Sequence, residues 1–417
     1  MEDYIVSGKC PLDGKLKVYG AKNAVLPILA GSVLSGGAVL LKNCPRLSDV
    51  SYTIEILERL GCKTAFDDEE IIINPAGVNT HFIDAGGGDM RSSVNFLGAL
   101  VGRFGRASLP MPGGCKLGKR PIDIHIRALK TMGVNIEVAD GMIYAEGWPV
   151  GADVYLDFPS VGATENVILA AVTAPGITVL SNAAREPEIT DLCRFLSAMG
   201  AKIHGAGSDM VRIEGVKRLE GCEHTVMPDR IVAATYMCAA MTAGGRLEIE
   251  NVIRPHLEET ANILSRCGGE ITWSAGRAEI RAPRVIRSCG VVRTQVYPGF
   301  PTDCQSQVMA VMACASEPGV IIENIFESRF KIVPELCRMG AEIHVNGREA
   351  TVRGGDLRGT ALHAADLRGG AALVIAALGA EGESRIDGTE YIARGYRDLA
   401  GELSRVGAKI KTVPLKG

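Results

Sequence analysis

A glycine that follows the last apolar turn of a helix recurs six times along this chain, at Gly61, Gly133, Gly200, Gly268, Gly340 and Gly407, about 70 residues apart. Glycine in that place is a C-terminal stop, because it alone adopts left-handed backbone without cost. Around each stop the same order of elements is legible. In "GGAVLLKNCPRLSDVSYTIEILERLGCKTAFDDEEIIIN" a strand-like run opens at Gly, a helix follows, and two short strands come after the stop. That helix is amphipathic, with Ile54, Ile56, Leu57 and Leu60 set against Glu55, Glu58 and Arg59. Between copies lies a second helix that is apolar nearly all round, such as "VGATENVILAAVTA" or "DLRGGAALVIAALGA", and such a helix belongs in a core. The chain therefore reads as an α/β protein of six repeated βαβαββ-like units. At 417 residues it is too long for one ordinary core. Three units per domain are expected: one domain over 22–227, the other over 1–21 and 228–417, completed by the N-terminal strand "DYIVSGKC".

Composition narrows the function. A net charge of −3 with 22% charged residues argues against a nucleic-acid binder, which would be basic overall or carry a basic stripe. No basic n-region precedes an apolar run at the start, and no apolar run reaches the roughly 18 residues of a membrane span, so a cytoplasmic protein without membrane contact is expected. The twelve cysteines form no CxxC pair and no cluster at zinc spacing, so neither a metal nor a disulfide framework is expected. Cys193, Cys238, Cys314 and Cys337 sit in apolar helical patterns and read as reduced core thiols.

Polar residues collect at helix starts. The apolar helices begin beside Lys22 and Asn23, Arg91, Thr164 and Glu165, Asp229 and Arg230, Asp303, and Arg368. The amphipathic helices are preceded by Asp49, Arg120, Arg185, Arg254, Arg329 and Arg394. A helix N-terminus offers unpaired N–H groups and a positive dipole end, so cations recurring there in all six units point to phosphates and carboxylates as ligands. One cysteine stands apart from the core pattern. "PMPGGCKLGKRPID" places Cys115 on a Pro/Gly turn among Lys116, Lys119 and Arg120, a setting that lowers a thiol pKa and favours thiolate.

Ten motifs in order, among them "GAKNAVLP", "PGGCKLGKRPIDIH", "SVGATEN", "MPDRI", "YPGFPTDCQSQ", "IFESRF", "ADLRGGAAL" and "ARGYRDL", resemble the UDP-N-acetylglucosamine enolpyruvyl transferase family over essentially the whole chain. The resemblance implies a two-domain inside-out α/β barrel with its active site in the interdomain cleft. It also implies transfer of the enolpyruvyl group of phosphoenolpyruvate to the 3-hydroxyl of UDP-N-acetylglucosamine, with release of phosphate, in peptidoglycan precursor synthesis. No cofactor or metal is required, and a monomer or weak homo-oligomer is implied. Carried onto this chain, the family's roles make Cys115 the proton donor, the site of a phosphoenolpyruvate adduct and the target of fosfomycin, on a loop that closes as a lid. Asp303 becomes the residue at the sugar 3-hydroxyl. Lys22, Arg120 and Arg394 grip phosphoenolpyruvate, with Arg91 and Arg368 close by. Asn23, Arg91, Arg120, Pro121, Ile122, Asp123, Ile124, Ser160, Val161, Gly162, Asp303 and Ile325 contact the nucleotide sugar.

The chain departs from the family's pattern at four places. Val232 stands where Glu is usual, and Tyr391, Ala393 and Arg397 replace a His and two acids around Arg394. These leave room for a non-catalytic paralogue that binds UDP-N-acetylglucosamine in a regulatory role. The related shikimate-pathway transferases share the unit count but lack the Cys-bearing "PGGC" loop.

Overall fold

All six glycines end their helices in one way in the computed structural model, which describes residues 2–84, 91–112 and 122–414. Their φ angles lie between 90° and 108°, where a side chain would be strained. The N–H of the residue after each glycine reaches back five positions to the carbonyl of a leucine, with N···O distances between 2.9 and 3.1 Å. Those acceptors are Leu57, Leu129, Leu196, Leu264, Leu336 and Leu403, all fully buried. One backbone motif, closing the last turn over an apolar anchor, thus recurs in all six units.

The buried helices are α1 (Lys22–Ser32), α3 (Asn95–Phe104), α5 (Val161–Ala171), α7 (Arg230–Ala243), α9 (Gln305–Ala313) and α11 (Leu367–Gly379). The amphipathic ones are α2 (Ser48–Arg59), α4 (Asp123–Thr131), α6 (Pro187–Ala198), α8 (Arg254–Arg266), α10 (Val333–Arg338) and α13 (Leu399–Arg405). A short α12 (Thr389–Ala393), which periodicity did not signal, precedes α13. Every residue of α7 is buried, as its unbroken apolar run requires.

Each unit adds a sheet with a fixed order. In the third, Asp153–Tyr155 lies parallel to Ile177–Ser181, which is antiparallel to Met210–Glu214, itself in a hairpin with Lys202–His204. Three sheets borrow a strand from elsewhere in the chain. Leu12–Lys17 runs parallel to Gly245–Glu250, and Glu223–Thr225 runs parallel to Val39–Lys42. Glu2–Ser7 inserts between Glu383–Asp387 and Lys409–Pro414. Among the described residues the sheet of Arg106–Pro110 has three strands, with a parallel bridge from Phe82 to Ser108 where the fourth would lie. Strands alternate as half-buried strands do: Ile71 and Ile73 are fully buried while Ile72 between them is 50% exposed.

The described residues separate into two compact units, 2–19 with 228–414, and 20–227. Each has one hydrophobic core, centred on α7, α9 and α11 in the first and on α1, α3 and α5 in the second. Helices inside and sheets around them make each core inside-out relative to the usual layered α/β domain.

One expectation about the cysteines is corrected. Cys193 and Cys238 are buried and Cys314 is partly so, but Cys337 is exposed. The six-residue α10 turns Val333 and Leu336 inward, which leaves Cys337, one step round the helix, facing water.

The inner helices meet at glycine. A Cβ on Gly98 of α3 would lie 2.3 Å from the Asn166 carbonyl oxygen of α5, and the Gly98 N–H already donates to Asn166 Oδ1 at 2.6 Å. Gly98→Ala must push α3 from α5, at a cost of about 1–3 kcal/mol. Scanning calorimetry should show a melting transition lowered by roughly 5 °C. An unshifted transition would contradict the close approach.

Candidate active site

In the 228–414 unit, three inner helices begin at carboxylates. Asp229 caps α7, its Oδ1 accepting from the N–H groups of Ile231 at 2.8 Å and Val232 at 3.0 Å. Asp366 caps α11 in the same way, accepting from Arg368 and Gly369. Asp303 differs, since it sits within a 3₁₀ turn, Thr302–Cys304, ahead of α9. Its Oδ1 accepts from Arg329 Nη2 at 2.7 Å, and its Oδ2 lies 3.6 Å from Arg368 Nη2. Both arginines are buried, at 3% exposure each, while the Asp303 side chain keeps 30%.

Burial alone would push the Asp303 carboxyl up, but the guanidiniums of Arg368, Arg329 and Arg230 outweigh it and hold the group well below the usual carboxylate range. Asp303 is therefore ionised at any working pH and is a strong hydrogen-bond acceptor but a weak base. For Arg368, burial acts to lower the pKa, yet Tyr396, Asp303 and Asp229 raise it further, so its charge is permanent.

A carboxylate the sequence reading missed holds this region together. Glu323, 1% exposed, accepts through Oε1 from Thr294 Oγ1 and from the N–H groups of Ile325 and Phe326, at 2.9, 2.8 and 3.0 Å. Its Oε2 accepts from Thr302 Oγ1 at 3.0 Å. The Thr302 carbonyl in turn accepts from Arg329 Nε at 3.3 Å. One buried side chain thus fixes both the Ile325 loop and the turn that carries Asp303. The available signal was a single acid ending an otherwise apolar strand in "GVIIEN". Arg329, noted only as a flanking cation, is in fact a direct partner of Asp303.

Arg394 ends α12 and is half-buried. Of the departures near it, Tyr391 and Ala393 are exposed, and Arg397 brings its own counter-charge. Arg397 Nη2 lies 3.5 Å from Glu402 Oε1, and its guanidinium stands over the Tyr19 ring at 5.4 Å. Val232 is fully buried on α7, where an apolar side chain completes the core.

In the 20–227 unit, Lys22 opens α1 and its Nζ lies 2.6 Å from Oδ2 of Asp49 in the first turn of α2, both nearly buried. Asn23 follows on the same turn. Ser160 caps α5, accepting from the Ala163 N–H at 3.4 Å, with Val161 and Gly162 as the first helical residues. Gly162 lies against His125, whose ring would meet a Cβ there at 2.9 Å. His125 Nδ1 is 2.9 Å from Asn166 Nδ2, and Arg127 bridges Asp123 at 3.0 Å and Asp157 at 2.9 Å. These contacts bring 122–125 and 160–162 together. Ile122 is buried, Ile124 partly so, and Asp123 is exposed at the start of α4. Within the same unit, Glu165 accepts from Asn95 Nδ2 at 2.8 Å. Arg91 opens a 3₁₀ turn before α3, but its side chain, and Cys115, Arg120 and Pro121 entirely, lie outside the described residues.

Among the described residues no group of three or more His, Cys, Asp or Glu could hold a metal ion. No described helix is long and apolar enough to cross a membrane.

The family model of EPSP synthase (3-phosphoshikimate 1-carboxyvinyltransferase) matches residues 6–403. Among solved structures, the enolpyruvyl transferase NikO from Streptomyces tendae superposes with a TM-score of 0.90 at 25% identity, covering 99% of both chains. EPSP synthase from Acinetobacter baumannii gives 0.76 at 20% identity, covering 99% of this chain and 100% of that one, a likeness of fold. Six repeated units, buried helices and clustered cations are those of an enolpyruvyl transferase. Among curated relatives, UDP-N-acetylglucosamine 1-carboxyvinyltransferase 2 of Caldanaerobacter subterraneus subsp. tengcongensis is 46% identical over 413 residues, 98% of this chain and 99% of the relative. The protein of that name in Carboxydothermus hydrogenoformans is 44% identical over 421 residues, 99% of this chain and 100% of the relative. The chain belongs to the UDP-N-acetylglucosamine 1-carboxyvinyltransferase family.

Proposed function

We propose that this protein transfers the enolpyruvyl group of phosphoenolpyruvate to the 3-hydroxyl of UDP-N-acetylglucosamine and releases phosphate. The observation that carries the reading is the Asp303–Arg329–Arg368 constellation, an ionised carboxylate among buried cations, in a chain 46% identical to a carboxyvinyltransferase of that name. In this reading Lys22, Arg120 and Arg394 neutralise the phosphate and carboxylate of phosphoenolpyruvate, with Arg91 and Arg368 close by. Asn23, Pro121, Ile122, Asp123, Ile124, Ser160, Val161, Gly162 and Ile325 hold the nucleotide sugar.

The reaction is an addition followed by an elimination. The Cys115 thiol gives a proton to C3 of the enol while the sugar 3-oxygen bonds to C2 and loses its proton, forming a tetrahedral phosphoketal. Removal of a proton from C3 then expels phosphate and leaves the enolpyruvyl ether. Asp303 accepts a hydrogen bond from the 3-hydroxyl and aims its oxygen. Because the guanidiniums make Asp303 a weak base, it takes the proton only as the C–O bond forms and the hydroxyl becomes strongly acidic. In this reading Cys115 is also the group that fosfomycin would capture covalently. The setting is cytoplasmic synthesis of cell-wall precursor, on which cell shape and division depend.

The test is product structure. Phosphoenolpyruvate labelled with carbon-13 and incubated with UDP-N-acetylglucosamine should give a carboxyvinyl ether whose labelled carbon couples to the sugar's C3 position. Label elsewhere on the sugar, or no ether at all, would contradict the reading.

A further inference from the structure

The interior of the 228–414 unit contains a tyrosine that the reaction scheme does not use. Tyr396 is 1% exposed, two residues beyond Arg394. Its hydroxyl oxygen lies 2.8 Å from Thr235 Oγ1 on α7, 3.3 Å from Arg368 Nη1 on α11, and 3.4 Å from Gln307 Nε2 on α9. The Arg368 guanidinium also stands over the Tyr396 ring, 5.6 Å from its centroid. One phenol therefore touches all three inner helices of the unit.

The direction of the hydrogen bonds follows from the helix. The Thr235 hydroxyl donates its only proton to the Ile231 carbonyl at 2.8 Å, so towards Tyr396 it can only accept. Tyr396 donates to Thr235, and its oxygen lone pairs are left for Arg368 and Gln307. Burial raises the Tyr396 pKa against the opposing pull of Arg368, so the phenol keeps the proton that this chain requires. With Nη1 committed to Tyr396 and Nη2 facing Asp303, the Arg368 Nε is buried and has no hydrogen-bond partner among the described residues. A buried guanidinium donor left unmade costs free energy, so the two bonds that Arg368 does make decide its orientation.

We propose that Tyr396, oriented by Thr235, is a positioning residue that holds the Arg368 guanidinium in the orientation that serves the anion of phosphoenolpyruvate. The proposal rests on the transferase reading above. A planar guanidinium held through Nη1 by the phenol and through Nη2 by Asp303 has its orientation set, and a fixed fork is what bidentate anion recognition needs. Arg368 also faces Asp303, so the lock bears on turnover as well as on phosphoenolpyruvate, but not on affinity for UDP-N-acetylglucosamine.

The test uses Tyr396→Phe, Thr235→Val and Thr235→Ser in the full-length protein, with phosphate release measured while each substrate is varied in turn. Tyr396→Phe keeps the ring and removes the acceptor. Thr235→Val removes the group that orients the phenol, and Thr235→Ser retains it. Tyr396→Phe and Thr235→Val should lower kcat/KM for phosphoenolpyruvate about tenfold or more, with affinity for UDP-N-acetylglucosamine within about twofold of wild type. Thr235→Ser should behave as wild type. Equal losses of affinity for both substrates, unchanged kinetics, or a Ser variant as impaired as the Val variant would each overturn the proposal. If Tyr396→Phe does not fold, the Thr235 pair decides. Wild-type protein without UDP-N-acetylglucosamine-dependent turnover would overturn the transferase reading itself, whereas normal wild-type turnover with unaffected variants would overturn only the lock.

Discussion

Replacing Asp303 by Asn should lower kcat by two to four orders of magnitude, the range seen when a positioned proton-transfer group is lost. The amide is nearly isosteric, so the turn at Thr302–Cys304 keeps its shape through Glu323 and Thr302. What changes is charge. Arg329 loses its carboxylate partner at 2.7 Å and Arg368 loses the one at 3.6 Å. Two buried guanidiniums without that counter-charge should then bind phosphate more tightly, because an anion relieves the desolvation cost of leaving them unpaired. Steady-state kinetics should therefore show a collapsed kcat together with a lower inhibition constant for inorganic phosphate. A kcat within threefold of wild type would remove Asp303 from the chemistry.

Replacing Cys115 by Ser should be as damaging, by about 10²–10⁴ in kcat, since a hydroxyl is a far weaker acid than a thiol flanked by lysines and arginine. The same variant should lose covalent modification by fosfomycin, read by intact mass. Four thiols make poor competitors. Burial pushes Cys44, Cys193, Cys304 and Cys314 up to about 12, where thiolate is negligible near neutral pH. Exposed Cys337 provides an internal control, because a neutral alkylating agent should reach it in wild type and variant alike. Fosfomycin is anionic and, on the proposed reading, is captured at Cys115 beside Lys116, Lys119 and Arg120, so it should leave Cys337 unmodified. Full turnover by the Ser variant, or fosfomycin label on it, would contradict the role given to Cys115.

The repeat was legible because it is written locally. A helix stop is a glycine a few residues from a leucine, and six copies at nearly constant spacing leave little choice of architecture. The inner helices were legible for a similar reason, since an apolar run such as "IVAATYMCAAMTA" has no polar face to turn outward. Pairing partners were not local. Leu12–Lys17 joins Gly245–Glu250, and Glu223–Thr225 joins Val39–Lys42, and no short-range signal says which distant edge a strand will fill. Cys337 was misread because α10 has too few turns for its apolar pattern to fix which face looks inward.

The candidate site divides along the same line. Lys22, Asp303 and Arg394 stand in recognisable motifs at helix ends. Glu323, Arg329 and Tyr396 matter through partners brought from other elements, and a single buried acid or phenol in a sequence does not declare its partners. Asp303 shows the difference most clearly. A helix-start aspartate can serve as a cap, as Asp229 does on α7 and Asp366 on α11, but the structure turns the Asp303 carboxylate to two buried arginines.

Phosphate release from phosphoenolpyruvate, followed with UDP-N-acetylglucosamine, with shikimate 3-phosphate, and with neither, tests the central claim most directly. Release that depends on UDP-N-acetylglucosamine and is absent in the other two reactions is the predicted result. Release with shikimate 3-phosphate instead, or none from folded protein that binds the nucleotide sugar, would contradict it.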